Sequence, residues 1–413
     1  MIETLVNDAV TLLQRLIATP SISRDETAAA DILQQTIESY GYKPERLGNN
    51  IWIKSPQWDD NKPLIILNAH IDTVKPVATW TRDPFTPTIE GDRLYGLGSN
   101  DCGGGLVSLL QVFRHLTATT ASPAATAPSA TSPSATAPSA ASHSAASPSA
   151  VASHVEGGAS AFKVPLPFNL LYLASCEEEV SGINGIRLAL PRLQEEGIIP
   201  VCQHSTGESP SSMQGGVIAI VGEPTGMQPA IAERGLMVID GVAHGKSGHA
   251  ARNEGINAIY QALDDLVFIR DYQFPKVSEL LGPTKMQCTV VNSGTQHNVV
   301  PDECKFIIDV RTNEHYTNEE VFDFLKTKLK SDITARSFHL HSSSISSDHP
   351  LIKRCLDMGM LPFGSPTLSD QALMRFPSFK LGPGQSSRSH SADEFICISE
   401  IRDAITKYLQ LLS

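Results

Sequence analysis

The order of strand-like and helix-like segments predicts an α/β fold in which one large domain is interrupted by a smaller α+β domain. Two short, continuous apolar runs, 63–69 (PLIILNA) and 168–174 (FNLLYLA), have the pattern of strands buried on both faces of a largely parallel sheet. From residue 235 the pattern changes to strand 235–243, helix 257–270, strands 286–292 and 304–311, helix 318–330 and strand 333–341. That β-α-β-β-α-β order is a ferredoxin-like unit. After residue 347 the texture returns to helix and loop and ends in the amphipathic stretch 398–412. The expected organisation is residues 1–229 with 343–413 as one domain and 230–342 as the other.

At the N-terminus, Leu5, Ala9, Leu12, Leu13 and Leu16 recur at helical spacing, which predicts an amphipathic helix rather than a secretory leader. A helix over 106–116 follows the glycines at 103–105. Segment 117–155 contains no Lys, Arg, Asp or Glu and is almost wholly Ala, Ser, Thr and Pro. It predicts a disordered insertion, spanning about 117–160 in all, because it holds too little apolar area to offset its chain entropy. The apolar run at 168–174 resumes the same domain, so the segment reads as a surface loop rather than an interdomain hinge.

Composition removes whole classes of function. At about 150 residues per domain, 413 residues suggest two or three domains. A net charge of −12 opposes binding along a phosphate backbone, so no nucleic-acid partner is expected. No run approaches the ~18 apolar residues of a membrane span, so no membrane partner is expected either. Seven scattered cysteines make no disulfide framework and no Cys-x-x-Cys zinc knuckle. The expectation is a cytoplasmic protein. A serine hydrolase is not expected, since no Gly-x-Ser-x-Gly elbow follows a strand.

Five places put metal-ligand side chains after strand-like sequence: His70, Asp101, Glu179, Glu223 and His390. Two histidines and three carboxylates suit a pair of zinc ions sharing one bridging carboxylate. Asp72, two residues after His70, is placed to orient that ring. Each position also has a plainer reading: a hydrogen-bonded structural histidine, a helix N-cap at Asp101, an exposed acidic turn at 177–179. The glycines at 96–105 do not form a phosphate loop, because no Lys follows them.

In this order HIDT (70–73), GLGSNDCGGG (96–105), EEEVSG (177–182), VGEPT (221–225), GKSGHAA (245–251), NVVP (298–301), DVRT (309–312) and GPGQSSRSH (382–390) resemble the di-zinc aminoacylase/carboxypeptidase superfamily. The nearest group is that of acetylornithine deacetylase and succinyl-diaminopimelate desuccinylase. The resemblance implies a di-zinc exopeptidase-like α/β catalytic domain with an inserted ferredoxin-like lid/dimerisation domain. It also implies that His70 and Glu223 bind one zinc, that Glu179 and His390 bind the other, and that Asp101 bridges them. Glu178 is then the general base, with the register of the Glu177–Glu179 triplet open by one residue. His249 stabilises the oxyanion from a partner's lid in a homodimer, and Asn298 and Arg311 hold the substrate carboxylate. The implied reaction is hydrolysis of an N-acyl amino acid, N-acetyl- or N-succinyl-ornithine or -citrulline, in arginine biosynthesis, with cobalt or manganese as alternative metals. A peptidase, the diaminopimelate desuccinylase and a non-catalytic zinc protein are the rivals.

Overall fold

The computed structural model describes residues 1–118, 166–200, 216–252 and 254–413. The expected Ala/Ser/Thr/Pro insertion lies outside the described residues, apart from its first two. The larger sheet runs in the order Glu45–Leu47, Asn50–Lys54, Asn169–Ser175, Leu64–His70, Val217–Val221, Ser378–Lys380, Ala230–Glu233 and Ser343–Ser344, with Phe363–Ser365 beside Ala230–Glu233. Leu64–His70 is central and pairs in parallel with Asn169–Ser175 on one side and Val217–Val221 on the other. Every residue of these three strands is buried. That explains why they read as continuous apolar runs instead of alternating ones.

Alternate side chains of the central strand enter different cores. Ile65, Leu67 and Ala69 pack with helices Ile2–Ile17, Gly104–Thr117 and Ile398–Leu412, while Leu64 and Ile66 pack with helix Ile186–Glu195. Helices therefore cover both faces, and the carboxyl ends of the parallel strands stay open at one edge, where α/β sheets present their sites. Among the described residues no helix is long and apolar enough to cross a membrane.

The second sheet is antiparallel, in the order Lys285–Ser293, Glu303–Arg311, Met237–His244, Asp332–Ala335, the ferredoxin-like arrangement. Helices Ala258–Asp271 and Asn318–Lys328 contribute to its core around Phe306 and Ile308. Three expectations need correction. The last strand spans only Asp332–Ala335, not 333–341. The helix stops at Lys328, and the amides of Lys330 and Ser331 donate to the buried Asp265 carboxylate at 3.0 and 2.8 Å. Residues 230–233, expected in the smaller domain, form a strand of the larger sheet.

Gly105 has a purpose other than flexibility. A Cβ there would overlap the carbonyl oxygen of Gly222, one residue before Glu223. The helix beginning at Gly104 thus packs directly on the backbone that presents Glu223. We predict that Gly105→Ala lowers unfolding stability by about 1–3 kcal/mol in urea titration, the usual range for overpacking. It should also weaken uptake of divalent metal, because Glu223 must move; unchanged stability and unchanged uptake would contradict this packing role.

Candidate metal centre

His70 ends the central strand with its ring buried and its Nδ1 2.9 Å from the carbonyl oxygen of Asp72. Nε2 therefore faces a ring of acids: Asp101 Oδ1 at 3.3 Å, Glu223 Oε1 at 3.7 Å and Glu178 Oε2 at 4.0 Å. The Asp72 carboxylate stands 3.5 Å from Nδ1 but has closer partners. It accepts from the amides of Glu178 and Glu179 at 3.0 and 3.2 Å and from the Ser23 hydroxyl at 2.7 Å. Asp72 so ties the histidine to both glutamates.

The acidic triplet leaves the Asn169–Ser175 strand through a tight turn. Glu177 and Ser181, at φ +53° and +47°, bracket the short 3₁₀ turn Glu178–Val180, a conformation that non-glycine residues adopt at a cost. The Glu177 carboxylate turns away from His70 and accepts from the Asn184 backbone and side-chain nitrogens at 3.3 and 2.8 Å. Glu178 and Glu179 instead bring ligand oxygens to His70. On this geometry the open register favours Glu178 and Glu179 at the cluster.

Asp101 sits in an irregular turn, Ser99–Gly103, between Arg93–Tyr95 and the helix beginning at Gly104; its peptide bond to Cys102 is cis. Its two carboxylate oxygens face different histidines. Oδ1 is 3.3 Å from His70 Nε2, and Oδ2 is 3.7 Å from His390 Nε2. His390 Nε2 is also 2.9 Å from Glu179 Oε2. The donors thus fall into two overlapping groups that share Asp101, one around His70 and Glu223, the other around Glu179 and His390. Two divalent cations with a bridging carboxylate fit that division of donors. Cys102 sulfur also lies among His70 and Glu223, and burial pushes its thiol up to about 12.

The electrostatics have one cause: many carboxylates share a buried space. Burial and repulsion from Asp101 push Glu223 up to about 8 against the pull of His70 and Lys380. Burial, with the negative fields of Glu223, Asp370 and Glu179, holds Glu178 well above the ordinary carboxylate range. Burial opposes a charge on His70, yet Cys102, Asp101 and Asp72 outweigh it and raise its pKa well above the usual imidazole value. The hydrogen bond to Glu179 carries His390 to about 9. Protons occupy a centre whose donors suit cations.

Sequence reading did not single out several supporting groups. Glu394 is buried and accepts from the backbone amides of Gly98, Asn100 and Asp101. Asp370 accepts from Ser175 Oγ at 2.5 Å, and burial pushes it up to about 6. Lys380 pairs with Glu233 at 2.8 Å, both fully enclosed. Only Glu394 had a visible signal, an acid four residues beyond His390.

Three expected site residues are not part of the convergent donor groups. His249 is exposed on the two-residue strand Gly248–His249, and its Nδ1 accepts from the Ala251 amide. The Asn298 carbonyl accepts from the Ala250 amide, which puts Asn298 and His249 in one loop cluster. The Arg311 guanidinium is held by Asp309 in a two-pronged ion pair at 2.8 and 3.0 Å.

Comparison with known proteins gives the class. The profile described as Peptidase family M20/M25/M40 matches residues 66–127, and that of the peptidase dimerisation domain matches 231–334. Two stretches of the chain therefore resemble the catalytic part and the dimerisation domain of M20 peptidases. A Peptidase M20 domain-containing protein of Schizosaccharomyces pombe is 22% identical, covering 98% of this chain and 84% of the relative. A succinyl-diaminopimelate desuccinylase of Stenotrophomonas maltophilia is 26% identical over 78% of this chain and 70% of its own length. The fold is similar to a dinuclear metal binding peptidase of Bacillus subtilis from the M20 family, with TM-score 0.61 and 14% identity, covering 99% and 98% of the two chains.

The raised values carry a pH signature. Glu223 rises from 4.5 to about 8 and His390 from 6.5 to about 9, so each contributes stability that is complete below its ordinary value. That contribution is lost as pH climbs through the raised value; half-exposed His390 supplies the smaller share. Asp72 and Asp101, which are lowered, titrate below this window. We expect metal-stripped protein to melt at progressively lower temperature from about pH 4.5 to 9 in scanning fluorimetry, and saturating divalent cation to remove the fall. A flat apo profile over that range would show that the acids do not share a desolvated site.

Proposed function

We propose that the chain is a di-zinc amidohydrolase that removes the acyl group from an N-acyl amino acid. The observation that carries this reading is the division of the Asp101 carboxylate between His70 and His390, with Glu178 beside the shared site. His70, Glu223 and Asp101 Oδ1 would hold one cation, and Glu179, His390 and Asp101 Oδ2 the other. Bound there, the two cations supply Lewis acidity that polarises an amide carbonyl and makes water a stronger acid. Imidazole and carboxylate ligands suit zinc, and cobalt or manganese are chemically able to replace it.

Glu178 is the general base in this reading. Its backbone is fixed through the Asp72 carboxylate, and its carboxyl group lies 4.0 Å from His70 Nε2. It takes a proton from the attacking water and returns it to the leaving amine nitrogen. Asp72 keeps His70 and the two glutamates in mutual register.

The preferred substrates are N-acetyl- or N-succinyl-ornithine or -citrulline, with free amino acid released for arginine biosynthesis. Support comes from the similarity to the desuccinylase of Stenotrophomonas maltophilia over most of both chains. The peptidase description of the solved neighbour favours the second reading, cleavage of a dipeptide.

His249, Asn298 and Arg311 complete the site across a homodimer in this proposal. The lid exposes large apolar side chains suited to a second copy: Tyr260 and Leu263 on helix Ala258–Asp271, and Val290 and Val291 on the outer strand Lys285–Ser293. An outer strand with exposed valines offers backbone pairing as well as apolar area. His249 of one copy then stabilises the oxyanion in the other.

Release of free α-amine from N-acetyl- and N-succinyl-ornithine and -citrulline, set against a dipeptide panel with and without chelator, tests the reaction. Chelator-sensitive turnover of acyl-amino acids is the expected result; turnover of dipeptides alone transfers the chain to the second reading. Glu178→Gln should retain both metals and lose roughly 10²–10⁴-fold in turnover, the range of a general base. Leu263→Glu with Val291→Lys should give a folded monomer by light scattering, with turnover lost because His249 no longer reaches a neighbouring site. A fully active monomer would remove His249 from the mechanism.

A further inference from the structure

Two of the donors, Asp101 and His390, come from irregular segments far apart in sequence, and neither is held by a strand of the larger sheet. The contacts between these segments are unusually reciprocal. The Glu394 Oε1 atom accepts from the amides of Asn100 at 2.8 Å and Asp101 at 2.9 Å, and Oε2 accepts from the amide of Gly98 at 3.1 Å. In return, the Asn100 side chain accepts from the Gln385 amide at 2.9 Å and donates to the Gln385 carbonyl at 3.0 Å. It also reaches the Ser389 hydroxyl at 3.3 Å, one residue before His390. Glu394 is 2% exposed, and its backbone carbonyl accepts from the Gly96 amide at 3.0 Å.

A buried carboxylate with three amide donors and no cationic side chain bonded to it is a positioning device rather than a metal ligand. It holds the turn that aims both oxygens of Asp101, and it belongs to the loop that carries His390. We infer that Glu394 is a positioning residue that locks Asp101 and His390 into one rigid body and so controls how tightly the cation shared by Asp101, Glu179 and His390 is bound. This inference rests on the dinuclear reading above.

The neighbouring Asp393 separates this role from simple loop anchoring. Its carboxylate accepts from the amides of Thr81 and Arg82 at 3.0 and 3.1 Å and from the Thr81 hydroxyl, so its hydrogen bonds run to the 81–82 segment and not to the amides that Glu394 holds. Asp393→Asn tests loop anchoring; Glu394→Gln tests the clamp, because an amide cannot accept from both sides of the turn. In Glu394→Ala three buried amides lose their acceptor, so that variant risks misfolding, and the isosteric Gln is the informative one.

The experiment is calorimetric titration of the metal-free full chain with zinc, together with the visible spectrum of the cobalt-loaded protein and the melting temperature of each apo form. The expected result is two ions per wild-type chain, and in Glu394→Gln one ion bound normally and the other weakened by about 10–100-fold. The cobalt spectrum of Glu394→Gln should change, which a general loss of stability would not produce. Asp393→Asn should keep both affinities and the wild-type spectrum. Two ions held equally by wild type and Glu394→Gln, with identical cobalt spectra, overturn the inference alone, as does equal weakening in Asp393→Asn. Fewer than two ions on the wild-type chain overturn the dinuclear reading and the inference with it.

Discussion

Gathering Asp72, Asp101, Glu178, Glu179, Glu223 and Asp370 around one buried edge of the sheet is the constraint on which the rest of the structure depends. Like charges in a desolvated space repel, and water is not there to screen them. The chain answers with three kinds of compensation. Imidazole rings stand between the acids, as His70 does between Asp101 and Glu223. Backbone amides point at carboxylates, as those of Glu178 and Glu179 do at Asp72. Protons fill what remains, because burial and the neighbouring acids raise Glu178 and Glu223. Divalent cations are the natural replacement for those protons.

This accounts for the position of the centre. The carboxyl edge of the parallel strands offers backbone, helix starts and turns where acids can be held by amides. Three adjacent strands deliver His70, the Glu178–Glu179 turn and Glu223 to that edge, and their fully buried side chains give it a rigid floor. Glycines at 105, 222 and 382 then let the helix and two loops approach within backbone contact. A side chain at Gly105 would separate the elements that present Glu223.

Precision at the outer part of the centre comes from loops. Asp101 and His390 are aimed by hydrogen bonds between irregular segments, with Glu394 and Asn100 as the joints. Such an arrangement is more easily adjusted than a strand end, and it leaves His390 half exposed. The smaller sheet, with its own core around Phe306, is built independently of these contacts.

The sequence by itself determined much of this protein. Runs such as 63–69 read as strands with both faces covered, because a short continuous apolar run carries no polar period. The β-α-β-β-α-β order set the second sheet, and the metal-ligand residue types were visible in place. What only the tertiary structure decided is how these groups face one another. Glu177 and Glu178 are chemically equivalent in sequence; the left-handed turn at Glu177 and the Asn184 contacts send one away from His70 and leave the other beside it. Asp72 looked like a partner for His70, yet its oxygens are spent mainly on two amides 106 and 107 residues away. Glu394 showed in the sequence only as an acid four residues beyond His390; its partners became visible once the Gly98–Asp101 turn closed around it. Hydrogen bonds between distant segments leave no period or spacing in the chain, because their geometry exists only once the segments have packed.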